Sequence, residues 1–204
     1  MSRRRKNGII FAIIIFAVGL VCFDRLFTES FRKEILLRTP RPEGSAKYHL
    51  KTFKVVKIVD GDTLDIDIPD GKYKTTRIRL LGVDTPETKK RGEAIMYFGP
   101  EASAFVEEVA LGKNVTVIID TVSDVRDRYG RLLGYICLED KTILNEELVK
   151  QGYGYADLRF QHADYKKYMK LQDEAIAAKV GLWKKVKRDQ LPKWLRRERP
   201  MLLK

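Results

Sequence analysis

Two aspartates in the chain stand where they could bind a hard metal ion. Asp62 belongs to a DGDT turn, and Asp84 comes directly before Thr85 in the segment RIRLLGVDTPET. Carboxylate, hydroxyl and carbonyl oxygens are the ligands that calcium and magnesium prefer. Because an Asp-Gly turn also forms without any function, these aspartates gain meaning only together with other polar residues.

Arginines and a glutamate accompany the aspartates. Arg79 and Glu87 flank Asp84 in the same segment, and Arg131 lies in a third stretch, DVRDRYGRLLGY. The forked donors of arginine match phosphate oxygens, and a carboxylate can accept a proton from an attacking water. Ion pairing at the surface is the alternative interpretation of each stretch alone. Together, an oxygen-ligated cation, a base and two arginines favour metal-assisted hydrolysis of a phosphodiester.

Histidine and cysteine are too rare to build other kinds of site. The chain has only His49, His162, Cys22 and Cys137, all far apart in sequence. This argues against a zinc site with nitrogen and sulfur ligands and against a disulfide framework. We expect His49 at a domain boundary, His162 at the surface and Cys137 as a small buried residue in a strand.

The elements that must position these side chains are short strands and amphipathic helices. Strands are predicted at 51–59, 63–68, 75–83, 115–120 and 132–138, and helices at 100–111, 144–151 and 165–179. Turn residues bound the strands, and a glycine follows each helix closely. This order predicts an α+β, mainly β domain: a small antiparallel, five-stranded OB-fold barrel with three packed helices.

The third predicted strand must bend if its residues are to meet in one site. In a regular strand Asp84 would lie about 16 Å from Arg79 and on the opposite face. A glycine inside a strand often marks a bulge or bend, so Gly82 is where convergence could be restored. Pro86 keeps the residue before it extended. Arg77, on the same strand, is predicted to be a surface charge.

The two ends of the chain carry most of its net charge of +12. Residues 3–6 are all basic, and residues 184–204 hold nine basic against two acidic side chains, which leaves the central part nearly neutral. We expect a domain at 48–184, preceded by a linker at 28–47 and followed by a basic tail at 185–204. That tail could bind phosphate backbones or anionic lipid, or it could simply be solvated.

An uncharged apolar run at 8–23 follows the basic start of the chain. As a helix it would span roughly 24 Å, slightly less than a hydrocarbon core of about 30 Å. We expect residues 1–27 to form an uncleaved transmembrane anchor with a cytoplasmic N-terminus, so that the remaining chain lies across the membrane. A cleaved signal peptide and a secreted protein are the alternative.

Four motifs give the chain a resemblance to a known family. DGDT, RLLGVDTPET, FGPEASAF and DRYGRLLGY occur in the order and nearly the spacing of staphylococcal nuclease, the thermonuclease family. The chain resembles this family from about residue 51 to residue 184. The resemblance implies an OB fold and a calcium-dependent endonuclease that hydrolyses DNA and RNA with little sequence specificity, leaving 3′-phosphate ends. With the apolar run, the chain is expected to be a membrane-anchored member with a monomeric catalytic domain.

The resemblance also implies a role for each matching residue. These roles are calcium binding for Asp62, Asp84 and the Thr85 carbonyl, water activation for Glu87, phosphate contact for Arg79 and Arg131, and nucleotide contact for Arg128 and Tyr129. Leu158 and Phe160 stand where the family has nucleotide-stacking tyrosines, so base stacking is expected to differ. The alternative functions are an OB module that binds nucleic acid without cutting it and a membrane-surface or scaffold protein that acts through its tail. The complete catalytic set favours an active enzyme.

Overall fold

A computed structural model describes residues 44–88 and 95–203 of the chain. The predicted anchor at 1–27 and most of the predicted linker lie outside these residues. In the part that is described, no helix has the length and apolar character needed to span a membrane.

The described residues form seven strands, four α-helices and three short 3-10 helices. The strands are β1 (Lys51–Asp60), β2 (Thr63–Ile66), β3 (Thr76–Leu80), β4 (Val83–Asp84), β5 (Asn114–Ile118), β6 (Leu132–Cys137) and β7 (Tyr155–Ala156). The α-helices are α1 (Gly99–Ala110), α2 (Leu144–Lys150), α3 (Tyr165–Ala177) and α4 (Lys193–Glu198). The 3-10 helices are Ser45–Lys47, Gly181–Lys184 and Arg188–Gln190.

Five strands close into a barrel in the order β1-β2-β3-β6-β5, which confirms the predicted five-stranded barrel. Its interior is filled by apolar side chains that alternate along the strands, such as Leu64, Ile78, Val117 and Ile136, all fully buried. The prediction that the barrel is wholly antiparallel is wrong, because β3 and β6 run parallel. A parallel pair needs a long crossover, and the chain between β3 and β6 supplies one that contains α1 and β5.

The third predicted strand is broken by the glycine that the sequence marked. β3 ends at Leu80, and the chain turns at Gly82, whose φ is +74°. It resumes as β4, which pairs with the two-residue strand β7. The predicted bend is therefore confirmed, and it separates the barrel strand from a small second sheet that sequence patterns did not predict.

A buried asparagine on α2 holds this bend. The side chain of Asn145 is fully buried, and its amide nitrogen donates to the carbonyls of Leu81 and Gly134 at 2.9 and 3.2 Å. Its oxygen accepts from the Ile136 amide at 3.0 Å. These bonds satisfy buried backbone groups at the bend and tie α2 to β6.

His162, expected at the surface, is instead buried beneath the bend, with 4% of its area exposed. Its Nδ1 forms a hydrogen bond of 2.9 Å with the Tyr135 hydroxyl, and its ring packs edge-on against Tyr168. The imidazole lies so close to Gly82 that a Cβ built there would be 2.5 Å from Nε2. Burial lowers the pKa of His162, which favours the neutral ring in this core position.

Gly82→Ala is expected to destabilise the domain by about 2–4 kcal/mol. The substitution places a Cβ on a residue with left-handed backbone, and this Cβ clashes with His162 in a packed core. The measurement is the free energy of unfolding from urea denaturation. Gly71→Ala is the matched control: Gly71 also has a positive φ of +57°, but a Cβ there meets no atom within 4 Å. Equal losses for both variants would show that packing against His162 contributes nothing.

The segment that follows the predicted domain packs onto it. Val186, Leu191 and Leu195 are buried in a cluster with Tyr155 and Trp183. The segment is fixed further by an ion pair between Arg199 and Asp173 on α3. From the sequence, 185–204 is predicted to be a basic tail outside the domain. In the structure its described part, 185–203, contributes apolar side chains to a second core cluster that it shares with the predicted domain.

Candidate active site

Two carboxylates from separate strands meet on one arginine. Asp62 lies in the turn between β1 and β2, Arg79 on β3, and Asp84 on β4. The Arg79 Nη2 atom is 3.1 Å from Asp62 Oδ2 and 2.9 Å from Asp84 Oδ1. Its Nη1 donates to the carbonyls of Leu80 and Val83, on either side of the bend. The guanidinium is thus fixed by the turn that brings the carboxylates together.

The DGDT turn also anchors the segment that follows Asp84. The Thr85 amide donates to Asp62 Oδ2 at 3.0 Å, and the Thr63 hydroxyl donates to Asp62 Oδ1 at 2.9 Å. This close approach depends on Gly61, because a Cβ at that position would lie 2.8 Å from Thr85 Oγ1. Gly61 is therefore needed for close packing at the site as well as for the turn.

The burial of both carboxylates disfavours their charged forms. Burial raises the pKa of Asp62 to about 6, with Asp60 acting in the same direction and Arg79 opposing it. Burial also raises the pKa of Asp84, while Arg79 and Arg159 act to lower it. A bound cation would favour ionisation of both groups.

Two contacts to Asp84 were not predicted. Arg159 Nη2 is 2.9 Å from Asp84 Oδ1, and the indole Nε1 of Trp194 donates to Oδ2 at 2.7 Å. Arg159 also binds Asp157 through two nitrogens, and its guanidinium lies 4.7 Å from the centroid of the Trp194 ring. Arg159 stands between Leu158 and Phe160, the two positions where the resemblance places nucleotide-stacking tyrosines.

The donors around the aspartates fit a hard divalent cation. The described part of the chain holds no group of three or more His, Cys, Asp or Glu side chains able to bind a metal. Two carboxylates and the Thr85 carbonyl could act with water, as calcium sites often do. Among described residues, Asp62 Oδ1 and Asp84 Oδ2 each accept a single hydrogen bond. Each of these oxygens keeps a lone pair for a metal ion.

Glu87 is exposed and shares a cleft with Asp84. It lines a cleft of about 790 Å³ together with Asp84 and Thr85. Its backbone is held by the Met96 amide, which donates to the Glu87 carbonyl at 3.0 Å. Gly99 at the start of α1 packs against the same carbonyl, because a Cβ there would lie 2.8 Å from it. The side chain is therefore carried by a fixed backbone into an open cleft.

The other predicted residues form a separate group in the loop before β6. Asp127 organises this loop: its Oδ1 accepts from the amides of Tyr129 and Arg131, and its Oδ2 lies 2.6 Å from Arg131 Nε. Arg128 donates to the Tyr129 hydroxyl at 2.7 Å, and the tyrosine is 69% exposed. Leu132, next to Arg131, pairs with Ile78 of β3. Among the described residues, no hydrogen bond or ion pair joins these loop side chains to Asp62 or Asp84.

Arg77, and Arg126 from the stretch DVRDRYGRLLGY, have structural partners. Arg77 binds Asp65 on the neighbouring strand through two nitrogens, at 2.8 and 3.0 Å. Arg126 contacts both oxygens of Asp70 and the hydroxyl of Tyr48. These pairs hold the barrel and its hairpin together.

The chain is similar to known proteins over most of its described length. A family model described as Staphylococcal nuclease homologue matches residues 77–185, more than half of the chain. The thermonuclease of Staphylococcus hyicus is 35% identical over 174 residues, which cover 84% of this chain and 94% of that protein. An uncharacterized protein of Methanocaldococcus jannaschii is 36% identical over 150 residues, 64% of this chain and 70% of its own. An uncharacterized endonuclease of Escherichia coli is 33% identical over 152 residues, 72% and 84% of the two chains. The matched region contains Arg79, Asp84, Glu87 and Arg131 and ends before α4.

Proposed function

Because the chain belongs to the staphylococcal nuclease family, we propose that it is a calcium-dependent endonuclease that hydrolyses phosphodiester bonds of DNA and RNA with little sequence specificity. The products would carry 3′-phosphate ends. The observation that supports this most is the convergence of Asp62 and Asp84 on Arg79, within 3.1 and 2.9 Å. Asp62 is buried and Asp84 is partly buried. Two such carboxylates with raised pKa values beside an arginine suit a cation and a phosphate that share one site.

In this proposal Asp62, Asp84 and the Thr85 carbonyl hold the calcium ion. The bound ion supplies positive charge that offsets the charge of the phosphate. Arg79 has one donor, Nε–H, that bonds to no described residue, and this group would donate to a phosphate oxygen. Three hydrogen bonds from Nη1 and Nη2 and an ion pair with Asp62 keep the guanidinium in place, so little reorientation is required as charge develops.

Glu87 would accept a proton from the attacking water. Its exposed side chain lies in the cleft beside Asp84 and Thr85, where water and a strand of nucleic acid can enter. Arg131 would contact the phosphate from the loop before β6, with Arg128 and Tyr129 meeting the nucleotide. The ion pair of Arg131 with Asp127 fixes that loop and leaves the Arg131 terminal nitrogens for phosphate oxygens.

A cleavage assay with and without calcium tests this function. The purified protein should hydrolyse denatured DNA when calcium is present, lose that activity on addition of a chelator, and regain it when calcium is restored. The ends of the products should be resistant to extension by a polymerase until a 3′-phosphatase has acted. Activity that survives chelation would contradict the metal assignment, and binding without cleavage in excess calcium would favour a binding module.

We also propose that the apolar run at 8–23 anchors the protein and that the catalytic domain is a monomer on the far side of the membrane. The support is the sequence itself, a run without charges after a cluster of basic residues. Protease treatment of intact cells should then remove the nuclease activity from the membrane fraction. Persistence of activity in that fraction after treatment would contradict this location.

A further inference from the structure

The cleft that contains Glu87 has a second wall made by the C-terminal segment. Asp84, Thr85 and Glu87 line the cleft, and so do residues 189–194, 196 and 197 of the C-terminal segment. Arg159 lies between them and binds Asp84. A volume of about 790 Å³ is within the range of ligand sites, roughly 300–1,000 Å³.

The second wall is basic, and its charges are poorly compensated. Lys193 and Arg196 form no ion pair with any residue that the structure describes, and Arg196 Nε is buried without an acceptor there. Arg197 pairs only with its neighbour Glu198, at 3.3 Å, and both side chains are exposed. Such an exposed pair is worth little. Asp189 is the acidic residue on this wall.

An aromatic side chain stands at the inner end of the basic wall. Trp194 is held by its hydrogen bond to Asp84, by the guanidinium of Arg159 and by an edge-on contact with Tyr155. Its half-buried ring lines the cleft. Proteins that bind single strands combine a basic groove with aromatic or guanidinium faces on which bases stack. This cleft has both features, and its Arg159 and Trp194 side chains contact Asp84 of the candidate site.

We propose that this cleft is a binding subsite for a single strand of nucleic acid, with Lys193 and Arg197 contacting phosphates beyond the scissile one and Trp194 next to a base. The proposal rests on the nuclease function and extends it, because α4 lies outside the region that the family model matches. Since the basic wall faces the same cleft as Glu87, a strand held there is led to the reacting groups. Binding to a lipid surface would not require the basic residues to line the cleft that contains Glu87.

The test is equilibrium binding of a fluorescent oligothymidylate to the full chain in mild detergent, with a chelator present so that no cleavage occurs. The double variant Lys193→Gln/Arg197→Gln should lower the affinity about tenfold in low salt. The slope of log affinity against log salt should fall by about 1.4, as expected for two lost contacts to a single strand. Neither residue binds a site carboxylate, so the fold and the carboxylate pair should be unaffected.

The matched control is Lys166→Gln/Lys170→Gln, which removes the same charge from exposed positions on α3 away from the cleft. The control should bind within twofold of the unaltered protein. Unchanged affinity of the cleft variant, or equal losses in both variants, would overturn the proposal. So would a loss of binding to vesicles that contain anionic phospholipid with no loss for the oligonucleotide. If binding depends on Lys193 and Arg197 but calcium gives no cleavage, the subsite stands and the proposed nuclease function fails.

Discussion

Glu87→Gln is expected to lower the turnover of DNA cleavage about a thousandfold, within the 10²–10⁴ range of general base catalysis. Glutamine keeps the size and polarity of the side chain but cannot accept the proton of the attacking water. Glu87 is exposed in the cleft, and its backbone is held by Met96 and Gly99 whatever its side chain. The thermal midpoint should therefore change little.

The measurement is the initial rate on denatured DNA at saturating calcium, with the midpoint of unfolding recorded for the same samples. Glu108→Gln is the control, an exposed glutamate on α1 outside the cleft, and it should retain the full rate. A rate for Glu87→Gln within tenfold of the unaltered protein would remove Glu87 as the base. A large drop in its midpoint would assign it a structural role instead.

Arg79→Lys is expected to damage both activity and folding. Arg79 joins two carboxylates and two carbonyls through Nη1 and Nη2, and its side chain is 12% exposed. A lysine has a single ammonium and cannot reach all four acceptors, so a buried carboxylate is left without its partner. The expected loss is about 3–5 kcal/mol in the free energy of unfolding, with a fall in turnover of about 10²–10³ from the lost phosphate donor.

The strand offers its own control for this variant. Arg77 lies two residues earlier, its side chain is 47% exposed, and it binds only Asp65 among the described carboxylates. Arg77→Lys keeps the charge but loses one of two hydrogen bonds to Asp65, whose side chain is 7% exposed, so it should cost about 1–2 kcal/mol, less than Arg79→Lys, and leave turnover intact. Urea denaturation and initial rates, measured on both variants under conditions where each is folded, separate the two positions. Equal losses of stability and turnover would mean that contact with two carboxylates does not make Arg79 more important than Arg77.

Local patterns were enough to predict the barrel and the convergence at its edge. The strands are bounded by turn residues and their inward positions are apolar, so β1, β2, β5 and β6 could be predicted to within a few residues. Gly82 marked the bend because a strand without it would have kept Arg79 and Asp84 apart. The meeting of these two residues with Asp62 follows from that one departure from regular geometry.

Other parts of the fold depend on contacts that no local pattern encodes. β7 is only two residues long, too short for alternation to reveal it. The burial of His162 follows from the path of the chain over Gly82. The parallel pairing of β3 with β6 follows from how the crossover is wound, and composition says nothing about it.

The same limit applies to the second half of the site. Arg159 and Trp194 bind Asp84 from segments 75 and 110 residues away. The C-terminal segment is rich in lysine and arginine, and these charges obscure the apolar pattern of Leu191 and Leu195, which are four residues apart. With Trp194 between them, that spacing is typical of a short amphipathic helix.

The bond from Trp194 to Asp84 gives the site an order of assembly. Asp62, Arg79 and Asp84 are synthesised well before the helix that carries the indole. A chain that ends before α4 would contain the barrel strands and both carboxylates, yet it would lack one wall of the cleft and the indole donor to Asp84 Oδ2. The cleft is therefore complete only once the last helix among those described here has been made, and not when the strands that carry the carboxylates have been.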